Sequence, residues 1–276
     1  MELGGGWSTV RTLQDPPSGA PAAAQLCATG PVAWDPWDRG GRNRRGRGWR
    51  NTIVAVSTVY DCADPDSRAA GLAAATSALR SGRLVVVPTD TVYGLAADAF
   101  DSAAVASLLA AKGRGRDMPV PVLVGSWNTI DGLVFSVRPQ ARDLIRAFWP
   151  GGLSIVVQQA PSLAWDLGDA RGTVMLRMPL HPVALELLQE VGPLAVSSAN
   201  ISGRPAADNV TQARDQLGSL VSVFLDGGPA QHATASTIVD LTGDQPRILR
   251  AGAVATEAVA EVLATTPEAL IGSVAQ

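Results

Sequence analysis

Apolar and polar positions follow two rhythms along this chain. Short, nearly all-apolar runs bounded by Pro, Gly or polar turns read as buried strands: RLVVVP (83–88), VPVLVG (120–125), LSIVVQ (153–158), TVMLRMP (173–179) and LAVSSAN (194–200). Between them lie segments with helical spacing. SRAAGLAAATSALR (67–80) takes Ser67 as its cap and Gly82 as its stop, and DSAAVASLLAAK (101–112) stops at Gly113. RPQARDLIRAFW (138–149) ends against Pro150, and HPVALELLQEVG (181–192) carries Pro182 in its first turn. A helix over 208–217, short strands in VSVFLDGG, STIVDL and RILRAG, and a last helix over 256–264 complete the pattern. TDTVYGLAAD (89–98) reads as a turn and a short segment, and the folded part begins near Asp61. Strands alternating with helices, with no internal repeat, predict an α/β fold: one domain over 58–276, a mixed sheet flanked by helices.

The first 57 residues break both rhythms. They hold Gly4, Gly5, Gly6, a PAAA run and RGGRNRRGRGWR, with four of the chain's seven tryptophans in no periodic setting. Seven arginines against four acids make this segment +3, whereas 15 basic and 21 acidic residues make the remainder −6. We read 1–57 as a disordered Gly/Pro/Arg-rich extension, either without function or serving as an RNA-binding tail.

The charge of −3 over 276 residues argues against a dedicated nucleic-acid binder. Two cysteines, Cys27 and Cys62, in no CxxC or Cys/His grouping argue against a disulfide framework or a structural zinc site, and a reducing cytoplasm fits. No apolar run approaches the ~20 residues of a membrane span. The two histidines, His181 and His232, have no metal-ligand spacing, and His181 reads as a helix-start residue. Phosphate-loop and dinucleotide-fold glycine patterns are absent.

One feature of the composition points toward chemistry. The chain has a single lysine, Lys112, beside 21 arginines. It falls in KGRGRD (112–117), at a predicted helix end followed by two arginines on a glycine-rich loop. Ammonium, guanidinium forks and closely approaching backbone suit a phosphate. Other polar groups gather at predicted strand ends, where open α/β sheets place their sites. These are PTDTVYGL (88–95), SSANISG (197–203), the Ser236/Thr237 pair and Arg250. Arg177 lies within an apolar strand, so its charge must face solvent, a partner or an anionic ligand.

Taken in order, PTDTVYGL, KGR, FWPGGLSIVV, TVMLRMPLHPVA, VSSANISGRP, DGGP, STIVDL and ILRAG resemble the YrdC/TsaC family of threonylcarbamoyl-AMP synthases over residues 66–262. The resemblance implies a twisted mixed sheet around a concave basic cavity, in the short, single-domain type. It implies a nucleotidyltransferase that condenses L-threonine with bicarbonate or CO2 and activates the product with ATP. Threonylcarbamoyl-AMP and pyrophosphate result, and a tRNA threonylcarbamoyltransferase complex takes the product onward. ATP enters as a substrate with Mg2+, with no protein-bound metal or prosthetic group. By resemblance the phosphates fall to Lys112, Arg114, Ser198 and Asn200, with Thr173 and Arg250 as further ATP contacts. Thr91, Arg177 and Ser236 fall around threonine, with Arg177 on its carboxylate. The chain departs from the family pattern at Gly115, where Pro is usual, at Met118, at AADN (206–209) and at Ala251 within Arg250-Ala251-Gly252.

Two other classes compete. An RNA-binding module in ribosome maturation would need a broad basic face, which the −6 domain opposes unless the tail supplies weak RNA affinity. A carbamoyl-transfer module of the hydrogenase-maturation kind would sit in a larger chain with zinc motifs, which are absent here.

Overall fold

A computed structural model describes residues 57–230 and 234–271. The Gly/Pro/Arg-rich extension lies outside them, apart from Ser57, as does His232. In chain order the elements are β1 (Thr58–Asp61), α1 (Pro65–Arg80), β2 (Val85–Val87), β3 (Gly94–Asp98), α2 (Ser102–Lys112), β4 (Val122–Leu123), α3 (Ile130–Leu133) and α4 (Pro139–Phe148). There follow β5 (Leu153–Gln158), β6 (Thr173–Arg177), α5 (Pro182–Val191), β7 (Leu194–Ser198), α6 (Val210–Leu217), β8 (Val223–Asp226), β9 (Thr237–Asp240), β10 (Arg247–Arg250), α7 (Thr256–Val262) and α8 (Pro267–Ile271).

The ten strands form one sheet in the order β1-β8-β2-β3-β7-β4-β6-β5-β9-β10. Parallel pairs (β1–β8, β2–β8, β4–β6, β5–β9) and antiparallel pairs are mixed, as the sequence predicts. Successive strand residues face opposite sides. Val85 and Val87 therefore join Val223, Leu225, Leu194 and Val196 in a core beneath α1 and α5. Val86, Leu95, Phe224 and Ala195 point the other way, into a larger core with α2, α4 and α6. Both faces are covered, which is why these strands read as continuous apolar runs.

Four expectations need correction. Asp64, not Ser67, caps α1: its side chain accepts from Ser67 N at 2.7 Å, and Pro65 occupies the first turn. Ser67 is instead inside the helix, because an acceptor three residues upstream already satisfies its amide. TDTVYGLAAD contains a central strand, β3, rather than a turn alone. β3 pairs with β2 and β7, and its small residues Gly94, Ala96 and Ala97 hid the apolar signal. β1 starts three residues before Asp61 and adds to the sheet edge beside β8. A short helix, α3, and a terminal one, α8, were not expected from the pattern.

Gly71 lets α1 approach β1. A Cβ there would lie 2.7 Å from Tyr60 Cβ and 3.0 Å from Leu225 Cδ2. In an open helix Gly→Ala gains about 1 kcal/mol, but overpacking a core costs about 1–3 kcal/mol. Gly71→Ala is therefore expected to lower stability by about 1 kcal/mol net, read as a lower urea midpoint at unchanged slope. A raised midpoint would show that Tyr60 moves aside freely.

Candidate active site

The site is assembled from strand ends and the turns that follow them. Helix α2 ends at Lys112 because Gly113 takes the left-handed conformation (φ 60) and turns the chain into the KGRGR loop. β7 ends at Ser198 and runs into Ala199–Asn200. β6 ends at Arg177, β10 at Arg250, and Ser236 immediately precedes β9. The β2–β3 connection brings Thr89, Asp90 and Thr91 to the same place. Between them lies a cavity of about 370 Å³.

Arg114, Ser198, Asn200 and Arg250 line this cavity together with Thr91, Arg177 and Ser236, so seven of the nine expected residues converge. Thr173 does not line it. It lines a neighbouring cavity of about 600 Å³ with Asp117, Asp169 and Asp240, and Pro119 lines both. Lys112 lies behind the wall, 2% exposed. Its ammonium donates to Ser198 O at 2.6 Å, Asn200 O at 2.7 Å and Asn200 Oδ1 at 3.1 Å. Those three acceptors match the three protons of an ammonium. The turn is further closed by Ser198 Oγ donating to Asn200 Oδ1 (2.5 Å) and by Asn200 Nδ2 donating to Arg204 O (2.6 Å).

Arg177 is a partnered charge. Its Nη2 donates to Asp90 Oδ1 at 2.6 Å, Nη1 to Thr91 Oγ1 at 2.7 Å and Nε to Gly151 O at 2.9 Å. Both members of the ion pair are almost wholly buried. Asp90 also accepts from Leu180 N at 2.9 Å. Sequence reasoning picked Thr91 from PTDTVYGL and passed over Asp90, although an acid one residue away was the signal for a buried arginine's counter-charge. Arg250 donates through Nε and Nη2 to Ser236 O, at 3.0 and 2.8 Å, and Ser236 Oγ lies 2.9 Å from Ser154 Oγ. Gly252 permits this: a Cβ there would sit 2.2 Å from Ala235 O. Ser154, Thr89 and Arg204 also line the cavity; each lies within a stretch that the sequence singles out, but nothing in the sequence separates them from their neighbours as site residues.

Electrostatically the cavity is a hole for an anion. Among the described residues neither Arg114 nor Arg250 has a carboxylate at ion-pair distance. Arg114 reaches only Ser197 Oγ, at 3.4 Å, and its buried Nε has no partner. Burial, and then the Arg114 guanidinium, lower the pKa of Arg250. Burial lowers that of Arg114 against the pull of Asp117. Burial lowers that of Arg177 too, with Arg250 adding to the shift and Asp90 opposing it. Burial, and then Arg114, push the Lys112 ammonium down to about 8. Each shift reflects the cost of taking a cation out of water, and at Arg177 the buried Asp90 carboxylate opposes it.

Arg116, read from the sequence as a second phosphate arginine, turns elsewhere. It pairs with Asp166 (2.7 Å) and lies 3.4 Å from Asp169. His181 stands at the start of α5, as expected, with a buried Nδ1 that has no partner, and it does not line the cavity.

The chain is similar to several known proteins. The family model Sua5/YciO/YrdC, described as telomere recombination, matches residues 77–252. A Mycobacterium leprae protein with a provisional threonylcarbamoyl-AMP synthase name is 68% identical over 219 residues, 79% of this chain and all of that one. The threonylcarbamoyl-AMP synthase of Bacillus subtilis is 34% identical over 76% of this chain and 60% of its own. The crystal structure of Pyrococcus abyssi Sua5 complexed with L-threonine superposes with a TM-score of 0.71 at 31% identity, covering 75% of this chain and 61% of that one. Escherichia coli YciO shares the fold, with a TM-score of 0.64 at 22% identity over 74% of this chain and 97% of its own. With its mixed sheet, its strand-end cavity and a match spanning most of the described residues, the chain belongs to the Sua5/YciO/YrdC family.

Proposed function

We propose that this protein is an L-threonylcarbamoyladenylate synthase. The observation that carries the reading is the pair of guanidiniums, Arg114 and Arg250, which face one cavity with no carboxylate partner among the described residues. A cavity built to be short of negative charge suits a polyphosphate. The relatives named for this activity, and the one solved with L-threonine, support the same choice.

On this reading ATP enters with its Mg2+, and its phosphates face Arg114, Arg250 and the Ser198–Asn200 turn. The nucleoside end extends across Pro119 toward Thr173, where Asp169 and Asp240 offer acceptors for hydroxyl and amino groups. Threonine occupies the hydroxyl-lined end at Thr91, Ser154 and Ser236, its carboxylate toward the unused protons of Arg177. The threonine amine adds to CO2 with release of a proton to solvent, or to bicarbonate with loss of water, giving a carbamate. A carbamate oxygen attacks the α-phosphorus, the bond to the β-phosphate bridging oxygen breaks, and pyrophosphate leaves with that electron pair. The protein's contribution is proximity and charge already in place for the departing pyrophosphate. Lys112 adds its charge from behind the turn that it also holds in shape; its three protons are already taken, so it reaches a phosphate only by giving up one acceptor. The product then passes to a tRNA threonylcarbamoyltransferase.

Pyrophosphate release from ATP by the full chain should require both L-threonine and bicarbonate, and serine or alanine should support it less well than threonine. Release indifferent to threonine would overturn the reading.

Lys112→Met should lower kcat/KM by about 10-fold or more, because it removes a nearby positive charge and leaves the Ser198–Asn200 turn without the donor that shapes it. Lys112→Arg should also lose activity, because a planar fork does not match three converging acceptors. Full activity in Lys112→Arg would refute this role.

The ammonium is charged below a pKa of about 8 and neutral above it. In the unsubstituted protein ATP affinity should therefore be full on the acid side and fall as pH rises through about 8. Bound phosphate moves that limb upward. A flat ATP KM between pH 7 and 9 would count against charge on Lys112 as a contributor, and Lys112→Met should abolish the limb.

A further inference from the structure

The KGRGR loop contains an arginine that the cavity does not use. Arg116 reaches away from Arg114 and grips the segment before β6. Its Nη1 donates to Asp166 Oδ2 at 3.0 Å and its Nη2 to Asp166 Oδ1 at 2.7 Å, a bidentate pair. Its Nε lies 3.4 Å from Asp169 Oδ1. The main chain repeats the grip: Asp169 N donates to Arg116 O at 2.7 Å, and Val120 N donates to Leu167 O at 2.9 Å. Gly168 packs so closely that a Cβ would lie 2.8 Å from Arg116 O.

The held loop needs holding. Arg114 is flanked by Gly113 and Gly115, and fixing glycine backbone costs more conformational entropy than fixing any other residue. Arg114 N donates to Leu109 O at 3.0 Å, but among the described residues its side chain has one long hydrogen bond, to Ser197 Oγ at 3.4 Å. Three residues beyond Arg116, Pro119 lines both cavities.

We propose that Arg116 is a positioning residue: its clasp on Asp166 and Asp169 fixes the glycine-flanked loop so that Arg114 is held at the cavity before nucleotide arrives. The proposal rests on the synthase reading only in taking ATP as the ligand. The opposite idea is that Asp166 merely parks Arg116, which then swings onto phosphate. The two ideas differ in sign at Asp166, because removing its charge loosens a clasp but frees a parked ligand.

The test measures ATP dissociation constants by calorimetry, and amide hydrogen exchange at Val120 and Asp169 without nucleotide. It uses the full chain, Arg116→Ala, Asp166→Asn and the swapped pair Arg116→Asp with Asp166→Arg. Arg116→Ala and Asp166→Asn should each weaken ATP about fivefold, the upper end for a half-exposed pair. Each should speed exchange at both amides, the swap should restore part of both, and L-threonine binding should stay within about twofold of the starting protein. Tighter ATP binding by Asp166→Asn would overturn the clasp in favour of the parked ligand. Unchanged affinity and exchange in Arg116→Ala would overturn it outright. If the unsubstituted protein bound no ATP, the synthase reading would fail, and faster exchange in Arg116→Ala would still support the clasp while unchanged exchange would sink it.

Discussion

A buried ammonium joins the end of α2 to the turn after β7, and the cavity wall depends on it. Lys112 is 2% exposed, and taking its charge out of water would be prohibitive without compensation. Compensation comes from three oxygens, two of them main-chain carbonyls of Ser198 and Asn200. Those carbonyls lie where the β7 ladder stops: Ser198 O also accepts from Asn200 N at 2.9 Å, whereas Asn200 O relies on the ammonium. The bond therefore settles two deficits at once and sets the turn on which Ser198 and Asn200 face the cavity. Three converging acceptors suit a compact ammonium with rotatable protons better than a planar guanidinium, in a chain that otherwise uses arginine 21 times.

Around that turn the protein accumulates like charge. Arg177 is neutralised by Asp90, and the pair is satisfied by Thr91, Gly151 and Leu180. Arg114 and Arg250 face the cavity without a carboxylate among the described residues; burial lowers the pKa of both, and the Arg114 guanidinium adds to the shift of Arg250. Such an arrangement is a cost in stability that an anion removes on binding. The division is chemically sensible. One arginine is held rigid by its own carboxylate and keeps protons for a single fixed contact, and two remain free to meet a more highly charged group.

Much of this was legible in the residues, for identifiable reasons. Strands buried on both faces announce themselves as apolar runs, so β2, β5, β6 and β7 follow the sequence closely. β3 does not, because Gly94, Ala96 and Ala97 trade bulk for close packing against β2 and β7. Gly113 marks the end of α2, since a left-handed cap is nearly a glycine property, whereas Asp64 and Ser67 compete as caps for α1 and only the hydrogen bond decides. At the site the motif residues converge, but pairing is a three-dimensional fact. Asp90 and Arg177 are 87 residues apart, and Arg116 and Asp166 are 50 apart. No periodicity links such partners, so the sequence suggests that both loop arginines face a ligand when only Arg114 lines the cavity.

Arg250 explains how two kinds of surface can serve one reaction. Its guanidinium is bonded to Ser236, which touches Ser154 in the hydroxyl-lined end, and it is electrostatically coupled to Arg114 at the cationic end. A group at the junction is thus approached by neutral hydroxyls from one side and by a guanidinium from the other. In the proposed reaction that junction is where the carbamate oxygen meets the α-phosphorus. There a nucleophile must keep its reactivity while a neighbouring phosphate loses charge repulsion. Hydroxyls orient an oxygen nucleophile without quenching it, and guanidiniums screen the phosphate that it attacks. The segregation of the two surfaces, with Arg250 as their hinge, makes the mixed lining of this cavity coherent.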